Sequence, residues 1–346
     1  MARLPSVIIE RSKAERTIRL LLKANAVNKG FHIRVSGENV LVPVITENLP
    51  AEYRVTLNEF SERANIAPLM VKVKRRLLES GIHNAKTPEK WILLGDSIII
   101  KKSNSWEIDR MVAQIIMELS GSKAVYLDMS QINGELRIPH MKLIAGVDHD
   151  VIHSENRVKY LFNPSKVMFS PGNVNVRGIL GKMNLKGKII LDMFAGIGYF
   201  AIPAAKYSCC SMVYCSELNP DSFRYLERNV SLNSIEDKIR IRNADCREAW
   251  SDVKADIIIM GHFDSVSYLD SALERAKPGT TIIMHVICRT GRSREKIDEI
   301  ISRAAELGST LSFESQSTVK SYSPHNWHLQ LSFSVSDANT GKSIKN

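Results

Sequence analysis

Five apolar runs, KIILDMF, SMVYCSE, IRIRNAD, ADIIIMG and TTIIMHVI, follow one another from Lys186, and helical segments beginning near Ala201, Asp221, Tyr268 and Arg294 separate most of them. Strand-length runs alternating with helices predict a parallel sheet. Parallel neighbours need long crossovers, and those crossovers become helical layers on both faces. A doubly wound sheet of this kind binds ligands beyond the C-terminal ends of its strands. The residues at those ends are therefore the ones to read for chemistry.

The first run ends in LDMFAGIGYF, residues 191–200. Gly196 and Gly198 allow a tight strand-to-helix turn and a close approach of ligand to backbone. Asp192 stands before them. A carboxylate there repels a pyrophosphate but attracts a ligand carrying an amine and a sulfonium. Glu217 ends the second strand, 25 residues after Asp192, where a carboxylate can accept both hydroxyls of a ribose. Asp245 ends the third, beside Cys246, and can accept from an adenine amino group. Three acids at three successive strand ends predict a site for S-adenosylmethionine (SAM). The expected fold is a Rossmann-like class I SAM-dependent transferase domain, α/β, with a mostly parallel doubly wound sheet.

The preceding residues read as small α+β domains. SKAERTIRLLLKANA predicts a helix with Ser12 as N-cap and Glu15 as its capping-box partner. FHIRVS and VLVPVI around SGEN predict a hairpin, and a basic helix is expected from about Leu57 to Ser80, ending at Gly81. WILLGDSIIIK, a helix from about Trp106 to Leu119, strand-like KAVYLDM, an NGEL turn, MKLIAG and VKYLFN follow, and YSPHNWHLQLSFSV adds a strand near the end. The expected divisions are 1–87, 88–165 and 166–336, with a flexible tail at 337–346.

Of the net charge of +10, residues 1–90 carry most, with 16 Lys and Arg against 9 Asp and Glu. The run VKVKRR lies within them. A basic segment suits a polyanion, because each cation placed near a phosphate releases a condensed counterion. No apolar stretch approaches a membrane span, the N-terminus lacks the apolar core of a signal peptide, and the five cysteines show no CxxC pair or zinc spacing. The expectation is a cytoplasmic chain with no metal and no membrane partner, acting as a monomer.

FSPGNVNVR, DMFAGIGYF, CSELNP, NADCRE, IIIMGHFDS and KSYSPHNWH occur in this order. The set resembles the archaeal tRNA wyosine-pathway aminocarboxypropyltransferases, close relatives of the archaeal-type tRNA guanine-N1-methyltransferases. The likeness runs from about Trp91 to Val335. It implies that Ser170, Arg177, Glu217, Asp245 and Cys246 contact SAM. It also implies a substrate, 4-demethylwyosine in tRNA-Phe, whose C7 carbon takes the 3-amino-3-carboxypropyl group while methylthioadenosine leaves.

Three departures separate this chain from the methyltransferase branch. That branch has an Arg where this sequence has Gly172, a Glu serving as base where it has Val176, and an Asn-Pro loop where it has Gly261-His262-Phe263. A valine cannot take a proton. His262 is the one catalytic candidate in the loop, with lining of the pocket or a phosphate contact as its alternative roles. A guanine-N1-methyltransferase on the same scaffold is the second reading, and a non-catalytic SAM- and RNA-binding module the third.

Overall fold

The computed structural model describes residues 2–62, 68–102, 108–129 and 136–336. The chain divides into two compact units, Met1–Lys72 and Val73–Asn346. In the first, β1 (Ala2–Glu10), α1 (Ala14–Lys23), β2 (Arg34–Ser36), β3 (Asn39–Pro43) and β4 (Val55–Phe60) build an antiparallel sheet in the order β2-β3-β1-β4. Val7, Ile9, Val40 and Val42 pack under Leu21 of α1. The hairpin around SGEN forms as expected.

The expected capping box does not form. Ser12 lies inside a short 3-10 turn, Arg11–Lys13, and α1 starts at Ala14 with no side-chain cap. The basic helix is also shorter than its sequence suggests. Val55–Phe60 is a strand, because pairing with β1, from Ala2 opposite Phe60 to Val7 opposite Val55, overrides its local pattern. The helix α2 occupies Leu69–Glu79, and residues 63–67 of the expected span lie outside the described residues. It stops at Gly81 (φ +74°), where the Ile82 N–H reaches back to the Leu77 carbonyl.

The second unit begins with β5 (Ile92–Leu94), β6 (Ser97–Lys101), α3 (Arg110–Ser120), β7 (Ala124–Asp128) and β8 (Met141–Gly146), whose strands form one sheet in chain order. Asp109 caps α3 by accepting from the Met111 N–H at 2.7 Å. The expected start at Trp106, and Asn133–Glu135 of the expected NGEL turn, lie outside the described residues. A hairpin that includes an unanticipated strand follows, β9 (Val151–Glu155) and β10 (Val158–Phe162).

The remaining elements are α4 (Val174–Lys182), β11 (Ile189–Asp192), α5 (Ala201–Tyr207), β12 (Met212–Glu217), α6 (Pro220–Leu232), β13 (Ile239–Asn243), β14 (Ile257–Met260), α7 (Leu269–Arg275), β15 (Thr281–Arg289), α8 (Ser293–Glu306), β16 (Thr310–Ser323) and β17 (Asn326–Ser336). Their strands form a seven-stranded sheet, β13-β12-β11-β14-β15-β17-β16. The five runs foreseen in the sequence are parallel, and β17 and β16 extend the sheet antiparallel. One face packs Ile190, Val213, Ile259 and Ile283 against Ala201, Ile202, Leu226 and the β9–β10 hairpin. The other packs Leu191, Ile258, Met284 and Leu331 against Leu269, Ile297 and Ile300. Burial on both faces is why these strands read as nearly continuous apolar runs.

Two asparagines one turn apart, Asn229 on α6 and Asn233 at its C-cap, hold the hairpin in place. Asn229 accepts from the Leu161 N–H at 2.6 Å and donates to the Leu161 carbonyl at 3.1 Å. Asn233 does the same for Lys159, at 3.1 and 2.7 Å. The backbone groups of β10 that no third strand pairs are thereby satisfied. No described helix is long and apolar enough to cross a membrane. The tail predicted at 337–346 lies outside the described residues.

Candidate active site

Beyond the C-terminal ends of β11, β12 and β14 lies a cavity of about 870 Å3, within the size range of sites for drug-sized ligands. It is the position the strand topology dictates, since β12 and β14 leave β11 on opposite sides. Its walls carry Ser170, Arg177, Gly196, Glu217, Asp245, Cys246 and His262, seven of the nine residues singled out in the sequence. Asp192 and Gly198 do not line it.

Glu217 closes β12 with both carboxylate oxygens held by backbone. Oε2 accepts from the Gly196 N–H at 2.7 Å and Oε1 from the Asn219 N–H at 2.8 Å. Burial raises its pKa, and those two bonds pull it back. Gly196 sits at φ +57°, and a Cβ there would meet Tyr199 Cε2 at 2.4 Å. The glycine thus lets the Tyr199 ring fold under the turn. Gly198 answers packing instead: at φ +97°, its Cβ would stand 2.4 Å from Ile202 Cδ1.

Asp192 corrects the sequence reading in its location. It is fully buried beneath the turn, with Oδ1 accepting from the Phe194 N–H at 3.3 Å and Oδ2 without a partner. Burial, with Glu217 nearby, pushes its carboxyl up to about 7. It supports the loop and does not present a charge at the cavity surface, because the turn folds over it.

Asp245 accepts three bonds from Arg247: from the backbone N–H at 2.8 Å, Nε at 2.9 Å and Nη2 at 2.5 Å. This pairing holds its carboxyl below the usual range. Burial pushes the adjacent Cys246 thiol up to about 12, so it is a neutral wall group. His262 stacks on Phe194 with ring centroids 5.3 Å apart, and its Nδ1 accepts from the Asp264 N–H at 3.2 Å. A neutral His262 therefore carries its proton on Nε2.

Arg177 is 2% exposed. Its Nε and Nη2 donate to the two oxygens of Glu155 at 2.5 Å each, Nη1 donates to the Ser170 carbonyl at 2.8 Å, and the guanidinium lies 4.5 Å from the Phe169 ring centre. It reaches the cavity as a structural cation that fixes Ser170.

Four further wall residues had no assigned role in the sequence. Lys320, on β16, donates to Ser170 Oγ at 2.5 Å, and burial beside Lys101, Arg177 and Arg137 pushes its ammonium down to about 8. Arg137 lies over Phe263 at 4.5 Å. His285 on β15 and His328 on β17 are joined, Nδ1 to Nε2, at 2.8 Å. Lys320 and His328 both belong to KSYSPHNWH, so the motif itself was the signal, but a polar strand sequence gave no clue to which side chains turn inward. Glu217 on one side and Arg137 and Arg177 on the other all act on the buried Tyr199 phenol, whose pKa is raised mainly by burial. The cavity therefore offers both signs of charge within one enclosure, as a zwitterionic nucleoside requires. Among the described residues no group of His, Cys, Asp or Glu is arranged to hold a metal.

Residues 151–311 match the TRM5/TYW2 methyltransferase domain, residues 75–149 the TYW2 N-terminal domain, and residues 6–52 the tRNA methyltransferase 5 N-terminal domain. A Methanocaldococcus jannaschii protein named tRNA(Phe) (4-demethylwyosine(37)-C(7)) aminocarboxypropyltransferase is 33% identical over 242 residues, 69% of this chain and 95% of its own length. The tRNA (guanine(37)-N(1))-methyltransferase Trm5b of the same organism is 26% identical over 345 residues, covering 94% of this chain and 97% of that one. The crystal structure of Pyrococcus horikoshii TYW2 in complex with MeSAdo superimposes with a TM-score of 0.68 at 27% identity, over 77% of this chain and 98% of that one. With a cavity built from the residues that the sequence places at its strand ends, and with this identity across nearly the full length of a relative, the chain belongs to the TYW2 family of tRNA aminocarboxypropyltransferases.

Proposed function

We propose that the cavity binds SAM as donor substrate and that the protein transfers its 3-amino-3-carboxypropyl group to C7 of 4-demethylwyosine at position 37 of tRNA-Phe. The C7–Cγ bond forms, the Cγ–S bond breaks, methylthioadenosine leaves and C7 loses its proton. Glu217, held by two backbone donors, accepts the ribose hydroxyls. Asp245 faces the adenine amino group with Cys246 beside it, and the Gly196 turn supplies the close backbone. Ser170, fixed by Arg177 and Lys320, forms the opposite wall. Asp192 stabilises the turn from below.

One observation carries the choice of transferred group. Val176 is 6% exposed and packed into the core, and no side chain projects from Gly172. No group at either position can deprotonate N1 of a guanine, so the methyl-transfer chemistry lacks its base. The sulfonium is its own activated leaving group. Placing Cγ in line with the carbon nucleophile then supplies most of what the reaction needs.

A second reading is favoured by the match of residues 6–52 to the tRNA methyltransferase 5 N-terminal domain, which the guanine-N1-methyltransferases share in the full-length alignment. The two are separated by incubating the protein with SAM and two tRNAs, one bearing the tricyclic precursor and one bearing guanosine 37. Methylthioadenosine from the first tRNA alone is expected. S-adenosylhomocysteine and 1-methylguanosine from the second would replace the proposal with methylation, and no byproduct from either would leave a binding module. The basic residues 1–87 we assign to docking of the tRNA. A chain starting near Pro88 should bind tRNA with a shallower salt dependence, and an unchanged slope would remove that role.

A further inference from the structure

The cations on the cavity wall are unevenly answered. They are Lys101, Arg137, Arg177 and Lys320. Arg177 is paired with Glu155. Among the described residues no carboxylate answers Arg137 or Lys320. Burial and the phenols of Tyr322 and Tyr199 act on the first, and burial with Lys101, Arg177 and Arg137 on the second. Arg137 Nε is closed off without a partner, and Nη2 donates to Met168 Sδ at 3.8 Å. A cation withdrawn from water and left unanswered is unfavourable, so two of them on one wall mark a place for an anion.

Both side chains line the cavity and keep part of their surface open. Arg137 Nη1 makes no bond within the protein and, unlike Nε, is not closed off. Lys320 reaches in from β16 across the Ser170–Asn173 turn. A Cβ on Gly172 would stand 3.2 Å from its Cδ and 3.9 Å from its Nζ, so the missing side chain at 172 makes room for the lysine. Its Nζ donates to Ser170 Oγ at 2.5 Å, which fixes the ammonium and leaves two of its three protons for a ligand. Even with its pKa pushed down to about 8, that ammonium is mostly charged at neutral pH. The Tyr199 phenol feels Arg177 and Arg137 as well as Glu217, so the cations and the proposed ribose carboxylate flank one ring.

We infer that Lys320 and Arg137 hold the carboxylate of SAM's methionine tail, with Ser170 fixing the lysine. The inference rests on the proposed donor site, with the ribose at Glu217. SAM carries one anionic group, and it lies at the end of the tail, away from the nucleoside. Elsewhere on the wall Asp128, Glu217, Asp245 and Asp264 repel it. Where this chain has Gly172, the methyltransferase branch has an arginine. Here the cation over that turn comes from β16 instead, and an arginine at 172 would occupy the same space. The contact bears on the proposed transfer. The carbon bearing the carboxylate is two bonds from Cγ, so a tail pinned at that end loses the rotations that would swing Cγ out of line with its nucleophile.

The test is Lys320→Met, which keeps the apolar stem and deletes the charge, titrated calorimetrically with three ligands. SAM, decarboxylated SAM and methylthioadenosine share the nucleoside and the sulfur, and only SAM has the carboxylate. In the variant the Kd for SAM should rise by roughly tenfold to a hundredfold, while the other two stay within about twofold of wild type. Lys320→Arg should recover part of the loss. An equal loss for all three ligands overturns the inference, because that is the mark of a damaged wall. Unchanged SAM affinity with a raised KM for tRNA also overturns it and assigns the cations to RNA phosphate. The wild type gives a readout that no misfolded variant can spoil: equal affinity for SAM and decarboxylated SAM overturns the inference, and a preference for SAM supports it. These titrations need no tRNA, so a wrong choice of transferred group, seen as absent methylthioadenosine in turnover, leaves them standing. A wild type that binds no SAM overturns the donor site itself, and this inference with it.

Discussion

Replacing Arg177 by Leu should damage stability and SAM binding through separable causes. The guanidinium makes two bonds to Glu155 and one to the Ser170 carbonyl, and both charged side chains are nearly excluded from solvent. Removing it leaves the Glu155 carboxylate buried, with His153 Nε2, 4.0 Å away, as the remaining ion-pair contact. Burial holds that imidazole below its ordinary pKa, so it is a poor substitute cation at neutral pH. Breaking one side of a buried pair costs about 3–5 kcal/mol. Replacing both sides, Arg177→Leu with Glu155→Leu, should recover most of that, because no uncompensated charge remains. SAM affinity should stay low in the double variant, since the Ser170 carbonyl then keeps only the Asn173 N–H, at 3.1 Å, and loses the charged donor. Urea unfolding of the three proteins gives the first comparison and calorimetric titration with SAM the second. A single variant as stable as the wild type, or a double variant no better than the single, would refute the reasoning.

Glu217→Ala should lower SAM affinity by about 1.5–3 kcal/mol, the range for hydrogen bonds to a charged group, and titration of a folded variant with unchanged affinity would remove Glu217 from the site. Gly172→Arg with Val176→Glu should not convert the enzyme to methylation. A Cβ at 172 meets Lys320 Cδ at 3.2 Å, and a carboxylate at 176 enters the core, so melting temperature and methylthioadenosine release should both fall while 1-methylguanosine stays absent. Acid should act through the coupled pair His285 and His328. Their folded pKa values, pushed by burial to about 4 and about 3, lie below the unfolded value, so their contribution is full above about pH 6.5 and is withdrawn as pH falls towards 4. Asp192, raised to about 7, works in the opposite direction, so the comparison that isolates the histidines is wild type against the double variant His285→Gln with His328→Gln in urea midpoints at pH 7 and 4.

The sheet was legible because its five parallel strands are buried on both faces and announce themselves as apolar runs bounded by helices. β16 was not. Ten of its fourteen residues are exposed, it is interrupted by three register shifts, and its Ser, Thr, Gln and Lys content has no alternation to read. Lys320 was missed with it. β4 was read as helix because its pattern is ambiguous until β1, fifty residues away, supplies the pairing. At the site, acids at strand ends were found from spacing alone, since topology dictates where a nucleoside lies. Asp192 shares that spacing but sits one layer deeper, a difference decided by how the Gly196 turn folds over it. The histidine pair depends on a diagonal relation across an antiparallel ladder, which no local pattern contains.

The α6 helix, finally, behaves as a strut. At its head, Asn219 caps the helix through the Asp221 N–H at 2.9 Å, donates its backbone N–H to Glu217, and reaches the Leu136 carbonyl at 3.0 Å. About three and four turns further on, Asn229 and Asn233 clip β10. A load applied at Leu136, which lines the cavity together with Arg137, is thus carried to Asn219, whose N–H is bonded to Glu217, and the hairpin anchors the far end against rotation. Displacement of that wall would therefore also turn the carboxylate of Glu217, because one asparagine is bonded to both.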